Sequence, residues 1–417
     1  MRQNDVLIIG SGLAGFTAAL AAASEGARVT LLSKGVGTLA FGGGMIDVLG
    51  YAGGRPVRNP IEGLAMLPPG HPYVLAGPAR VAGGLDFLRT VCAEHGYPLA
   101  GSLTANMLVP TVAGTLKPSC LVPRSMAAAD MTAADVITLV VFPGLKEYYP
   151  SLVLKGLQDL SLCQNKQFRT VMVESRLEKG RDMTSLDLAW RLDGETGRTE
   201  LLERLKRAVT PGSYLLMPPV LGTEPVYDVW EMLERETGCR IVEMAAPPPA
   251  VSGNRLRRLL LRALKNKGVT IVEQAHVRRA ICSNGRCVAV ATRHYGREML
   301  YEADRFIIAT GGLLGGGLTA TPQGYGESIF GFPVSVPGPA AAPGGGLLGP
   351  HGIFRAGLTV DDWLRPLGAD GTIVYDNVHA AGNILAGYDY SVEKSGNGVA
   401  AVTGWLAARA AVGRDLA

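Results

Sequence analysis

"VLIIGSGLAGFTAAL", residues 6–20, decides how the rest of this chain is read. "DVLIIG" is a short run rich in Val and Ile, the pattern of a buried strand. "LAGFTAALAAASEG" is a run of small residues that can pack closely on a sheet as a helix. Between them Gly10-Ser11-Gly12-Leu13-Ala14-Gly15 matches G-x-G-x-x-G. The first glycine permits a tight turn, the second lets backbone approach a pyrophosphate, and the third lets the helix pack on the strand. The free amides at the helix start, Leu13 and Ala14 among them, and the helix dipole favour an anion there. "ARVTLLS" is a second strand, so the chain opens as strand–helix–strand, the start of a parallel sheet.

An acidic residue is expected about 20 residues after such a turn, to bond an adenosine ribose. Ser33 and Lys34 stand there instead. Ser33 can bond a hydroxyl and Lys34 a phosphate. The pair leaves open an NADP site or a flavin bound without a firmly held adenosine.

Further along, "GVGTLAFGGGMIDVLG" (35–50) carries three consecutive glycines, Gly42, Gly43 and Gly44, which allow close approach of backbone to a ligand. A helix is expected near 77–95. Residues 134–250 alternate strands and helices and form a second α/β unit. A long helix, a strand and a hairpin follow over 254–294. The hairpin turn "SNGR" is flanked by Cys282 and Cys287. "ADRFIIATGG" (303–312) is another buried strand ending in Thr310, Gly311 and Gly312. Residues 338–350 form a Gly/Pro-rich loop. The tail holds a second glycine turn at Gly382-Asn383, then Gly398 and Val399 in a closing helix. A nicotinamide dehydrogenase does not need this late turn. In large flavoproteins such a turn meets the ribityl chain, and the next helix points its N-terminus at the isoalloxazine. The order and spacing of the three parts argue for a flavin.

Composition agrees with a folded protein of two or three domains: 417 residues, 47% hydrophobic and 18% charged. A net charge of +4 without a Lys/Arg-rich block argues against nucleic acid. Six cysteines without a C-x-x-C offer no zinc ribbon or Fe–S run and suit a reducing cytoplasm. No metal site is expected. Residues 6–23 imitate a signal peptide, but Asp5 and the glycines speak against one. No other segment supplies the roughly 20 apolar residues of a membrane span, so membrane attachment is expected to be peripheral.

The chain resembles the B-subunit family of anaerobic glycerol-3-phosphate dehydrogenase over nearly its full length. The resemblance rests on the N-terminal glycine motif, "LAFGGGMIDVLG" (39–50), "HPY" (71–73), "AGTLKPS" (113–119), "LLMPPVLG" (215–222), "PPAVSGNRL" (248–256), "IIATGGLLGGGL" (307–318), "GLTVDDWLRP" (357–366) and the glycine-rich tail. It implies a glutathione-reductase-like Rossmann flavin-binding domain with an interposed α/β cap. The flavin domain is expected over 1–120, 251–337 and 351–417, the cap over 121–250. It also implies FMN, with FAD as the alternative. The implied partners are a catalytic flavoprotein, the A subunit, and an Fe–S protein, the C subunit, which anchors the complex to the inner face of the cell membrane. The implied reaction takes glycerol 3-phosphate to dihydroxyacetone phosphate, with electrons passing to quinone.

FMN accounts for the absent ribose acid but not for a full pyrophosphate cradle. Candidates for the anionic substrate are Arg255 and Arg365, which can fork onto a phosphate, and for a base His71. Asp361 and Asp362 are expected to cap or turn the chain. None of these makes a convincing base, which favours electron relay over primary catalysis. The competing readings are a stand-alone flavin oxidoreductase of a hydroxy acid or polyol and a flavin-free scaffold protein of the same complex.

Overall fold

β1 (Asn4–Ile9), α1 (Leu13–Ser24) and β2 (Val29–Leu32) form the expected strand–helix–strand unit. The computed structural model describes residues 4–128, 131–174, 182–294, 297–322, 324–336 and 351–414, so the loop expected at 338–350 lies outside the described residues. β1 and β2 pair in parallel, Val6 opposite Val29 and Ile9 opposite Leu32. On its other side β1 pairs in parallel with strand Arg297–Ile308, Ile9 opposite Ile308. The seven-stranded sheet runs Thr270–Val272, β2, β1, Arg297–Ile308, Arg286–His294, Val277–Ser283, with Val378–Ala380 parallel to Arg297–Ile308. Its parallel strands read as unbroken apolar runs because both faces are covered. Val6, Leu7 and Ile8 are at most 1% exposed.

The chain falls into two compact units. Met1–Thr38, Asp47–Val91 and Leu260–Ala417 form the first; Leu39–Ile46 and Cys92–Leu259 form the second. In the first unit α1 packs against the C-terminal helix Gly396–Ala411. Small residues make the contact possible: a side chain at Gly404 would run into the Ala14 carbonyl. The hairpin at 277–294 turns through Asn284 and Gly285, both at positive φ (51° and 71°). Asn-Gly supplies this two-residue turn at little strain. Cys282 and Cys287 face each other across it as free thiols.

The second unit holds a parallel four-stranded sheet in the order Gln167–Met172, Val136–Val141, Tyr214–Met217, Arg240–Glu243. The last strand escaped the sequence reading. It has four residues with charge at both ends, and Glu243 is fully buried. Its burial depends on a partner in the helix that follows, Arg255, described below. Among the described residues no helix is long and apolar enough to cross a membrane.

In Val378–Ala380, His379 is 3% exposed and its Nδ1 lies 2.8 Å from the Trp363 carbonyl. Burial lowers its pKa to about 4, against the opposing pull of that carbonyl. In the unfolded chain the same ring protonates near 6.5. Between these values the unfolded state binds more protons, so stability from this group is complete above pH 6.5 and is lost as pH falls toward 4. Denaturant unfolding at pH 7 and pH 5 tests this. The parent should lose about 2 kcal/mol more than His379→Gln over that interval.

Candidate cofactor site

Each of the three motif glycines has its own geometric cause. Gly10 sits at φ +118°, and a Cβ there would strike the Ala309 backbone. A Cβ at Gly15 would strike the Gly10 carbonyl. Gly12 differs: a Cβ there would meet nothing within 4 Å. Protein packing does not demand glycine at 12, and the space above it is open. α1 begins there with no side-chain cap and no acidic residue in its first turn. Its first amides therefore face that open space under a positive dipole.

Two further loops of the same unit converge on this helix start. Gly382 is at φ +77°, and a Cβ on it would lie 2.7 Å from the Ala14 Cβ. The loop after strand Arg297–Ile308 folds back on itself, with Gly315 and Gly317 amides donating to the Gly312 carbonyl. A Cβ on Gly312 would come within 2.8 Å of the Asn383 carbonyl oxygen. The Thr310 Oγ1 in this loop is buried and has no hydrogen-bond partner. An orphaned hydroxyl, a bare helix terminus and an open glycine together fit a polar ligand with phosphates. Thus Gly10, Gly12, Leu13, Ala14, Gly15, Thr310, Gly311, Gly382 and Asn383 come together.

Ser33 and Lys34 part company. Ser33 is 4% exposed; its hydroxyl lies 2.6 Å from the Ser11 hydroxyl and donates to the Gly35 carbonyl at 2.6 Å. It ties two loops together. Lys34 is exposed, its Nζ 3.6 Å from where a Gly316 Cβ would be. Gly37, at φ +75°, presses against the Ser11 carbonyl and was missed by the sequence reading because it lies outside the motif.

The other candidates serve packing or pairing. Gly42, Gly43 and Gly44 sit against the first turn of helix Val251–Asn266 in the second unit. The Ser252 hydroxyl donates to Gly43 O at 2.8 Å, and a Cβ on Gly44 would lie 2.6 Å from Ser252 O. Gly398 donates its amide to Asp47 O at 2.9 Å, and Val399 is fully buried. Arg255 is 2% exposed and forks onto Glu243, Nη1–Oε2 2.6 Å and Nη2–Oε1 2.9 Å, while its Nε donates to Gly222 O. Burial alone would raise the Glu243 carboxyl; the Arg255 charge outweighs it and holds that group below the usual value. Arg365 is held by Asp361, Nε–Oδ2 2.8 Å, and Asp361 also turns the loop by accepting from the Trp363 and Arg365 amides. His71 is fully buried: Nδ1 accepts from the Tyr73 amide at 3.0 Å and Nε2 lies 3.1 Å from Glu393 Oε2.

A mixed sheet whose first parallel strand–helix turn is an open glycine cradle marks a dinucleotide-binding fold, and the family makes it a flavoprotein. The chain belongs to the FAD binding domain family, which it matches over residues 5–399, and within it to the B-subunit family of anaerobic glycerol-3-phosphate dehydrogenase. It is 33% identical to a probable anaerobic glycerol-3-phosphate dehydrogenase B subunit of Halobacterium salinarum, over 98% of each chain. It is 30% identical to the anaerobic glycerol-3-phosphate dehydrogenase B subunit of Vibrio cholerae, over 98% of this chain and 96% of that one. Among solved structures, a 3-ketosteroid-delta4-(5alpha)-dehydrogenase of Rhodococcus jostii is 12% identical over 98% and 96% of the two chains, with a TM-score of 0.38, too low to build on. The family supports a flavin, but not specifically the FMN that the resemblance implied and that fitted the absent ribose acid at Ser33 and Lys34. It favours FAD, and the open pyrophosphate cradle is the physical reason.

Gly12→Val should fold, since a Cβ at this position meets nothing within 4 Å, yet lose flavin. Gly15→Ala should lose roughly 1–3 kcal/mol, because its Cβ collides with backbone. Flavin absorbance and thermal melting of the two variants separate these effects; full flavin occupancy in folded Gly12→Val would refute the cradle. In the second unit Arg255→Ala leaves Glu243 buried and unpaired. It should cost about 3–5 kcal/mol in denaturant unfolding.

Proposed function

We propose that this chain is the flavoprotein B subunit of an anaerobic, quinone-linked sn-glycerol-3-phosphate dehydrogenase complex, that it binds FAD, and that it relays electrons within the complex. The observation that carries the cofactor reading is the open, uncapped α1 N-terminus at Gly12, with Gly382-Asn383 and the Thr310 loop beside it. The names of the relatives carry the choice of reaction.

The residues present fit the cofactor. Amides of Leu13 and Ala14 would donate to the pyrophosphate, with Gly12 leaving room for it. Thr310 would supply its unpaired hydroxyl and Asn383 its amide. Lys34 stands at the end where the adenosine would lie, offering charge in place of a ribose acceptor. When bound, the flavin takes up two electrons and can release them singly.

Oxidation of an alcohol also needs a base for the hydroxyl proton. His71 has both ring nitrogens engaged, and Arg255 and Arg365 are each closed onto a carboxylate. None of these three is open to glycerol 3-phosphate. This supports relay here and substrate oxidation in the catalytic A subunit. The Fe–S C subunit, at the inner face of the membrane, would then accept the electrons and pass them to quinone.

The experiment is reconstitution. Cofactor released by heat from the purified chain should have the mass of FAD; a released FMN would overturn that choice. The chain alone should reduce quinone with glycerol 3-phosphate slowly, and adding the A and C subunits should restore the rate. Turnover by the chain alone, free of partners by mass spectrometry, at the rate of the complex would make it the dehydrogenase itself.

A further inference from the structure

Asn383 stands at the late glycine turn, beside the α1 start through Gly382 and beside the Thr310 loop through Gly312. Its side chain is not free to choose its role. The Tyr388 hydroxyl donates to Asn383 Oδ1 at 2.6 Å. Tyr388 is 1% exposed, and burial raises its pKa well above the ordinary value, so the phenol keeps its proton and acts as donor. With one lone pair of Oδ1 engaged and the amide plane fixed by it, the Nδ2 of Asn383, with its pair of donors, is the group left without a bond to Tyr388.

The support behind Tyr388 is rigid. Its ring meets His71 edge-on at 5.6 Å and 65°. His71 is itself fixed by Glu393 and by the Tyr73 amide. Gly387, at φ +93°, presses on the Gly70 carbonyl, which pins the loop leading into Tyr388. The backbone of the turn is fixed separately: the Gly382 amide donates to Thr403 Oγ1 at 2.8 Å, and that hydroxyl donates to Val399 O at 2.6 Å.

We propose that Tyr388 is a positioning residue of this site: by holding Asn383 Oδ1 it presents the Asn383 amide to the cofactor as a hydrogen-bond donor. The inference rests on the flavin reading above and adds a polarity to it. A carboxylate at this place would accept from a hydroxyl. A tethered amide gives to an oxygen acceptor, which suits the negative end of a ligand seated on a helix N-terminus. It also gives buried His71 a task, the support of Tyr388.

A double-mutant cycle on FAD binding tests it. Apo-protein is titrated with FAD, followed by flavin fluorescence, for the parent, Tyr388→Phe, Asn383→Ala and the double variant. Tyr388→Phe should weaken binding about tenfold. In the Asn383→Ala background it should weaken binding no further. A merely structural Tyr388 would lower affinity by the same factor in both backgrounds, and that result overturns the proposal. An unchanged Kd in Tyr388→Phe overturns it too. If Tyr388→Phe does not fold, Asn383→Asp decides, because it keeps Tyr388 and removes the donor. Binding should fall at least about tenfold, and equal or tighter binding overturns the donor role. A parent chain that binds no FAD overturns the flavin reading and this inference with it; a parent that binds FAD with an additive cycle overturns the inference alone.

Discussion

The backbone-on-backbone contact at the first turn governs the site. Gly15 touches the carbonyl of Gly10, and Gly10 touches the backbone of Ala309. No side chain larger than hydrogen fits in either gap. These contacts press α1 onto the sheet and bring its first turn beside the end of a neighbouring parallel strand. The ligand-facing amides are a by-product of this packing. A helix start left bare would be unfavourable in a site that stayed dry, and it becomes useful where an anion can dock.

The polar groups divide into two kinds. Arg255, Glu243, Ser125 and the Leu221 amide form a closed set, each donor matched to an acceptor inside the second unit. Such a set is costly to break and gives nothing to a ligand. At the cradle the opposite holds: Thr310 Oγ1 lacks a partner and α1 lacks a cap. Charge in the sequence was therefore a poor guide to the site. The fully buried Arg255–Glu243 pair is internal, and the candidate contacts are mostly amides and a hydroxyl.

Ser33 shows how one substitution changes what a loop does. An acid at that place faces a ribose; Ser33 instead faces inward, bonded to Ser11 and Gly35. The hydroxyl stabilises the very loop that carries Gly12. The missing acid thus removes an adenosine contact without removing the glycine cradle, so its absence fits FMN without arguing against FAD.

Local pattern determined much of this protein. The apolar run at 6–9, the small-residue helix after it, the Asn-Gly hairpin at 284–285 and the first three strands of the second unit's sheet in chain order are set by period and turn chemistry within a few residues. What tertiary structure alone decided depends on partners that belong to other elements. Strand Arg240–Glu243 is buried because Arg255 neutralises Glu243. His71 is a support because Glu393, 322 residues away, takes its Nε2. Gly12 and Gly44 look alike in sequence, yet one has open space above it and the other has Ser252. A glycine, a histidine or an arginine carries no mark of what will stand opposite it, and that neighbour, set by the fold, determines whether the residue packs, pairs or binds.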